Sequence, residues 1–467
     1  MQSNKQHIKQ FLGWIINLGK KAAPRFELGI KDLQSSALPL GHAALKEKKV
    51  FPTDSISQCK NQLLVICNGH GEDLISLRIL ETLHNLYPKL ILEVLPLVGE
   101  GKIFDKATQS GWLKRVGPIA KMPSGGFSNQ SFSGLIADLL AGLITKSLKQ
   151  WLFVRKIAPY EKSIIAVGDI FPLFLAWGSK CNFAFVGTPK SDYSWRSGPG
   201  KSISDYYHLL KGSEWDPWEY SLMKSPLCKF VAVRDGLTAK GLKKHKVNVF
   251  APGNPMMDSL KKEAHPSFLD NYRRVILLCG TRVPEALENF KRLVNASELI
   301  DSAHPIALLV ALGNEPKVEK IEFILRELGF QKSMNSNHHF KSQATWIKNS
   351  RIIFLGPGKF SHWASWAELG LANAGTATEQ LIGLGVPALS LPGKGPQFNK
   401  NFAKRQSRIL GGAVIPCKNS YVLAKRMDVL LRNSALCNNL GKIGTRRMGK
   451  EGASLYLAQL IKKHLLE

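Results

Sequence analysis

The chain has 467 residues, 44% of them hydrophobic and 21% charged, which is long for one core, ample for two, and typical of a soluble globular protein. Its 64 Lys and Arg against 35 Asp and Glu leave a formal net charge of +29, a field that favours acidic partners. The cations are scattered and no zinc-finger spacing or RNP-type aromatic motif occurs, so nucleic acid is a weaker candidate than an anionic membrane surface or a phosphorylated substrate.

Residues 1–58 differ from the rest, with Lys and Pro scattered among short apolar pieces and no sustained period. The run 24–42 resembles a translated transfer-RNA gene and points to a misassigned start. The alternative is an amphipathic tether, with Phe11, Leu12, Trp14, Ile15, Ile16 and Leu18 beside Lys20 and Lys21. No signal-peptide cleavage pattern is present. The seven cysteines, Cys59, Cys67, Cys181, Cys228, Cys279, Cys417 and Cys437, form no C-x-x-C pair. Cys67 and Cys279 lie in apolar runs, so buried free thiols in a reducing cytosol are expected and no metal site is indicated by spacing.

From residue 61 a strand, N-Q-L-L-V-I-C, meets the turn N-G-H-G-E-D and a leucine-rich helix, the first βα unit of a doubly wound domain. Gly69 and Gly71 make the turn and Asp73 can cap the helix. His70 and Glu72 are candidates for chemistry, because ligands of such sheets bind at the carboxyl ends of the strands. Residues 132–158 combine a Leu, Ile and Trp face with Lys146, Lys149, Arg155 and Lys156. That pattern suits a helix lying on an anionic bilayer, or equally a core helix, and Asp138 and Lys146 exclude a membrane span. A strand at 163–167 ends at Gly168 and Asp169, where a carboxylate can accept a proton or cap the next helix. Another strand leads to Trp195 and Arg196, and the aromatic group Trp215, Trp218 and Tyr220 is expected to be exposed.

The second half opens with a strand at 274–279 followed by Gly280, Thr281 and Arg282. Such a turn of free N–H groups with an arginine suits a diphosphate. Residues 371–408 read as loop, helix, G-V-P stop, short buried strand and polar loop, a βαβ fragment. The Asn373-Ala-Gly375-Thr376 turn places N–H groups and the positive end of a helix dipole where a phosphate would be stabilised by Gly375, Thr376, Ala377 and Thr378. Glu379 could accept a ribose diol, although Thr376-x-x-Glu379 is also a capping box. Gln397 and Asn399 follow in a Gly/Pro loop, with Lys394, Lys400, Lys404, Arg405 and Arg408 nearby and no acidic residue among them.

The Gly-Thr turn, helix glutamate, G-V-P strand and Q-x-N loop together resemble the donor segment of GT-B glycosyltransferases. Among these the chain is similar to the lipid-A-disaccharide synthases, and to their related branch in cyanobacteria and plastid-bearing lineages. N-G-H-G-E-D, the segment at Gly168 and Asp169, G-N-P-M-M-D at 253–258 and the Gly280 to Arg282 turn carry this resemblance, which spans about residues 61–466. It implies an α/β, GT-B-like fold of two facing Rossmann-like domains, 59–258 and 259–450, with a C-terminal helix, 451–467, crossing back. It implies an inverting glycosyltransferase, with the nucleotide sugar, of UDP type, held by Gly280, Thr281, Arg282, Asn373, Gly375 to Thr378, Glu379, Gln397 and Asn399. Asp169, or else His70 or Glu72, would be the base, and Gly69, Gly71, Asp73, Trp195 and Arg196 would lie on the acceptor side. No cofactor or metal is expected, since no D-x-D motif occurs. A lipid-linked acceptor and peripheral attachment to the cytoplasmic face of a membrane follow from the kinship and the charge. A nucleotide-sugar 2-epimerase and a non-catalytic lipid- or nucleic-acid-binding protein remain the alternatives.

Overall fold

The computed structural model describes residues 62–69, 71–119, 143–156, 162–260, 262–300, 305–333, 342–393 and 398–467. The 1–58 segment, His70, all of 132–142, Lys394 and Gln397 lie outside them. Two sheets organise the chain. The first contains β1 (Gln62–Cys67), β2 (Ile91–Pro96), β3 (Leu113–Arg115), β4 (Ser163–Gly168), β5 (Phe183–Gly187), β6 (Cys228–Val233) and β7 (Val249–Phe250). All pair in parallel, in the order β3-β2-β1-β4-β5-β6-β7. The second contains β8 (Arg273–Leu278), β9 (Ile306–Leu312), β10 (Gln331–Lys332), β11 (Ala344–Lys348), β12 (Arg351–Pro357), β13 (Leu369–Ala372), β14 (Ala388–Ser390) and β15 (Val414–Pro416). Its order is β10-β11-β12-β9-β8-β13-β14-β15, parallel except for the edge formed by β10, β11 and β12.

Strands buried on both faces must be apolar throughout, which is why β1, β4 and β9 read as unbroken hydrophobic runs instead of alternating ones. In both sheets the order reverses beside the first strand, at β1 and at β8, and this leaves a crevice at the carboxyl ends of the strands there. The terminal helix Ala453–Ile461 returns to the first domain, packing on the helix Gly71–Leu86. The Leu465 carbonyl then accepts a hydrogen bond from Ser163 Oγ at 2.9 Å. Asp258 fastens the start of that helix by accepting from the Gly452 and Ser454 N–H groups at 2.6 and 2.7 Å. Two facing Rossmann-like domains with a helix crossing back are therefore what the chain forms, as the resemblance implies.

One expectation is corrected, and one pair of alternatives is decided. Trp215 is fully buried, with Phe185 edge-on to it at 5.5 Å; Trp218 is the exposed member of that aromatic group. The helix Leu143–Lys156, the described part of the 132–158 segment, packs on the helix Ile170–Gly178, and its Gln150 donates to the Leu97 carbonyl at 2.8 Å. It belongs to the body of the first domain. The six described cysteines are buried and free.

Candidate functional site

The two crevices meet. The loop after β1 is held close to the loop after β2, where a side chain on Gly69 would reach within 3.0 Å of the Val98 carbonyl at a φ of 93° that favours glycine. Gly71 faces the other domain: a Cβ there would stand 2.7 Å from Thr376 Oγ1. The first turn of the helix Thr376–Gly383 is thus in contact with the β1 loop. Its N-cap is Gly375, and no side chain caps it. The capping-box reading of Thr376 and Glu379 is not realised, and the N–H groups of Thr376, Ala377 and Thr378 are left without a side-chain cap. Thr378 is buried, its hydroxyl donating to the Ala374 carbonyl at 2.7 Å.

The loop carrying Gly280, Thr281 and Arg282 follows the adjacent strand, and a Cβ on Gly280 would lie 3.2 Å from the Asn373 carbonyl. A cavity bounded by Gly280, Thr281, Arg282, Glu285, Asn373 and Phe398 opens here. Most of the predicted donor residues are therefore neighbours, yet two have other tasks. Asn373 is buried, and its amide donates to Asn289 Oδ1 and the Leu391 carbonyl while accepting from the Leu391 N–H, at 3.0, 2.8 and 2.8 Å. It ties the end of β13 to the end of β14. Asn399 caps the helix Lys400–Ile409 by accepting from the Phe402 N–H at 2.9 Å. Asn373→Ala is accordingly expected to lower stability by about 3 kcal/mol, because buried backbone groups lose their partners. Urea unfolding checks this, and a fall in nucleotide affinity without a fall in stability would contradict it.

Across the crevice two carboxylates stand together. Glu72 begins the helix Gly71–Leu86 and accepts from Thr188 Oγ1 at 3.1 Å, and its Cγ lies 3.4 Å from where a Cβ on Gly168 would be. Burial, with a smaller push from the charge of Asp169, lifts the Glu72 carboxyl from an ordinary 4.5 to about 7. Asp169 caps the helix Ile170–Gly178, accepting from the Phe171 N–H at 2.9 Å. Burial raises its carboxyl too, against the pull of that N–H and of Lys190. Asp73 turns inward; burial takes it to about 6, and one of its oxygens is buried without a hydrogen bond. With its carboxyl near 7, Glu72 is poised to exchange a proton near neutrality. Thr188 and Lys190, which set the surroundings of this pair, carried no signal in the sequence.

The remaining predicted residues are drawn into the junction of the domains. Glu379 forms an ion pair at 2.9 Å with Arg234, a buried residue that follows β6. Arg408, read from sequence as part of an anion-binding run, is buried and donates to the carbonyls of Ser194, Pro199 and Gly200 and to both Asp205 oxygens. Arg405 likewise reaches the Pro189 carbonyl and Glu214. Trp195 donates to Asp192 at 3.3 Å and stacks on His208, with Arg196 over its ring at 4.8 Å. The contacts of Glu379, Arg405 and Arg408 join the two domains, those of Trp195 and Arg196 stay within the first, and none is with the carboxylate pair.

No protein-family model matches the chain, and no curated protein does. Solved structures do. A Listeria monocytogenes protein designated a UDP-N-acetylglucosamine 2-epimerase superposes with a TM-score of 0.54 at 15% identity, over 87% of this chain and 97% of that one. The spinosyn forosaminyltransferase SpnP gives 0.50 at 12% identity, over 88% of this chain and all of the other, at 100%. At these identities the likeness concerns the fold, and it is the GT-B fold.

Proposed function

We propose that the protein is a nucleotide-sugar-dependent glycosyltransferase that inverts the anomeric centre without a metal. The observation that carries this is the contact of Gly71 with Thr376, which sets the Glu72 and Asp169 carboxylates opposite an uncapped helix start and the Gly280 to Arg282 loop. The donor diphosphate lies against the N–H groups of Thr376, Ala377 and Thr378 and beside Arg282, with the base in the cavity behind Gly280. Glu72, ionised, takes the proton of an acceptor hydroxyl as the oxygen attacks the anomeric carbon. The bond to the diphosphate breaks on the opposite face, and the helix start meets the charge that gathers on the leaving group. Glu379 takes the ribose diol only by sharing or leaving Arg234, so donor binding loosens the junction.

The finer reading is a relative of the lipid-A-disaccharide synthases that takes a UDP sugar and a lipid-linked acceptor at the cytoplasmic face of a membrane. It rests on the motif resemblance and the charge of +29. Among the described residues no helix is long and apolar enough to cross a membrane. Thermal unfolding with UDP, GDP, ADP and their sugars tests the donor. At about one hundred times its dissociation constant a true donor adds about 2.7 kcal/mol, and a folded protein deaf to every nucleotide overturns the proposal.

A second reading has one observation in its favour. Two carboxyls with raised affinity for protons, Glu72 and Asp169, suit removal and return of a proton on a sugar carbon. A 2-epimerase, the activity named for the Listeria protein, would convert a UDP sugar with no acceptor present. Solvent deuterium entering the sugar of UDP-N-acetylglucosamine on incubation with the protein alone would establish it.

A further inference from the structure

The helix Ile203–Lys211 is inside out. It has no buried residue, and the side it turns to the protein is the polar one. Asp205 takes two hydrogen bonds from Arg408, His208 lies against Trp195 and Glu214, and the Lys211 ammonium is paired with Asp216. The apolar side points outward. Ile203 is 90% exposed, Tyr206 70%, Tyr207 49% and Leu210 88%, at the i, i+3, i+4, i+7 spacing that defines one helical face. A solvated protein gains nothing from such a stripe, and the inward bonds hold the helix in this orientation.

The surface around the stripe is cationic. Lys201 precedes the helix and is exposed. The helix Gly236–Lys244 abuts its end, where the His245 ring bonds the Lys211 carbonyl at 2.8 Å, and it presents Lys240, Lys243 and Lys244 to solvent. Lys224, also exposed, lies over the Tyr220 ring at 5.4 Å, and Tyr220 stacks on His245. The acids of this region are turned inward and paired: Asp205 with Arg408, Asp216 with Lys190 and Lys211, and Glu219 with Lys190. Trp218 adds an exposed indole on the neighbouring helix Pro217–Met223.

We infer that this face docks on the interface of an anionic lipid bilayer, with Ile203, Tyr206 and Leu210 entering the headgroup region, Tyr207 flanking them with its hydroxyl held by Asp216, and the lysines meeting lipid phosphates. An apolar stripe ringed by unneutralised cations fits that occupant, since the charge attracts the surface and the stripe enters it. The inference gives the membrane half of the proposed function its location, and it moves that location from residues 132–158 to the helix Ile203–Lys211. Through Asp205 and Arg408 the docked helix is joined to the second domain, next to the Trp195 and Arg196 side of the junction.

Flotation of the full chain with vesicles tests it. Phosphatidylcholine vesicles containing phosphatidylglycerol should carry the protein upward at low salt, and pure phosphatidylcholine should carry at least tenfold less. The double variant Ile203→Ser, Leu210→Ser should lose at least tenfold in binding with its circular dichroism unchanged, because neither side chain supports the fold. The triple variant Lys240→Gln, Lys243→Gln, Lys244→Gln should flatten the salt dependence. Wild-type protein that stays with the lipid-free fraction, or a double variant that floats like wild type, overturns the inference. So does a lipid-free dimer that the double variant dissociates, since the face would then belong to a second copy of the chain. Nucleotide stabilisation measured on the same samples keeps the two proposals apart: its survival with flotation lost sinks only the docking face, and the converse sinks only the donor reading.

Discussion

Glu72→Gln is expected to reduce sugar transfer by about a hundred- to ten-thousandfold while leaving donor binding nearly unchanged, the range typical of losing a general base. The wild-type rate should rise with pH through about 7, following ionisation of a carboxyl that burial and Asp169 hold far above its ordinary 4.5. The same group predicts an opposite effect on stability. The folded protein binds this proton more tightly than the unfolded chain, so Glu72 lowers stability as pH rises from about 4.5 to 7, by up to about 3 kcal/mol, and the loss is complete above that window. The Gln variant lacks this slope and should match or exceed wild type above pH 7. Urea unfolding from pH 4 to 8, set beside initial rates with membrane lipid extract and a UDP sugar, reads both effects. A Gln variant with full activity would transfer the role of base to another residue.

Arg408→Ala should give a large loss of stability. Its guanidinium bonds Ser194, Gly200 and Asp205 at 2.6 to 2.8 Å and Pro199 at 3.3 Å, across the boundary between the domains. Removing it leaves the half-buried Asp205 carboxylate and several carbonyls without their partner, a change worth about 3 kcal/mol. Arg408→Lys should recover little, because a single ammonium cannot reproduce the planar fork that serves three carbonyls and a carboxylate together. Equilibrium unfolding gives the magnitude, and limited proteolysis near residues 197–201 reports whether the junction has loosened. If Arg408 instead held a phosphate, the variant would keep its stability and lose nucleotide affinity.

The parts of the fold that could be read in advance are those whose cause is local. The apolar runs of β1, β4, β8, β9 and β14 admit little but buried parallel strands, and the glycine turn at 69–71 and the 373–376 turn mark where strands hand over to helices. Gly280 and Gly375 fell at the carboxyl ends of adjacent strands because a doubly wound sheet puts every such turn on one edge. The individual duties of polar residues were not local. Asn373 looked like a ligand and is a brace, since its partner Leu391 lies 18 positions away. Arg408 looked like an anion binder because no acidic residue is near it in sequence, and its carboxylate, Asp205, lies 203 positions earlier.

The sequence by itself determined two Rossmann-like halves, the strand-to-helix turns that carry the candidate chemistry, and a cationic surface, because strand burial, glycine turns and net charge are properties of short stretches or of composition. Only the tertiary structure decided that Glu72 is the carboxyl raised to about 7, that Glu379 is held by Arg234, and that the helix Ile203–Lys211 faces outward with its apolar side. Desolvation, ion pairing and exposure depend on what the folded chain brings alongside a residue, and across a junction closed by side-chain contacts such as those 145 and 214 positions apart no local pattern carries that information.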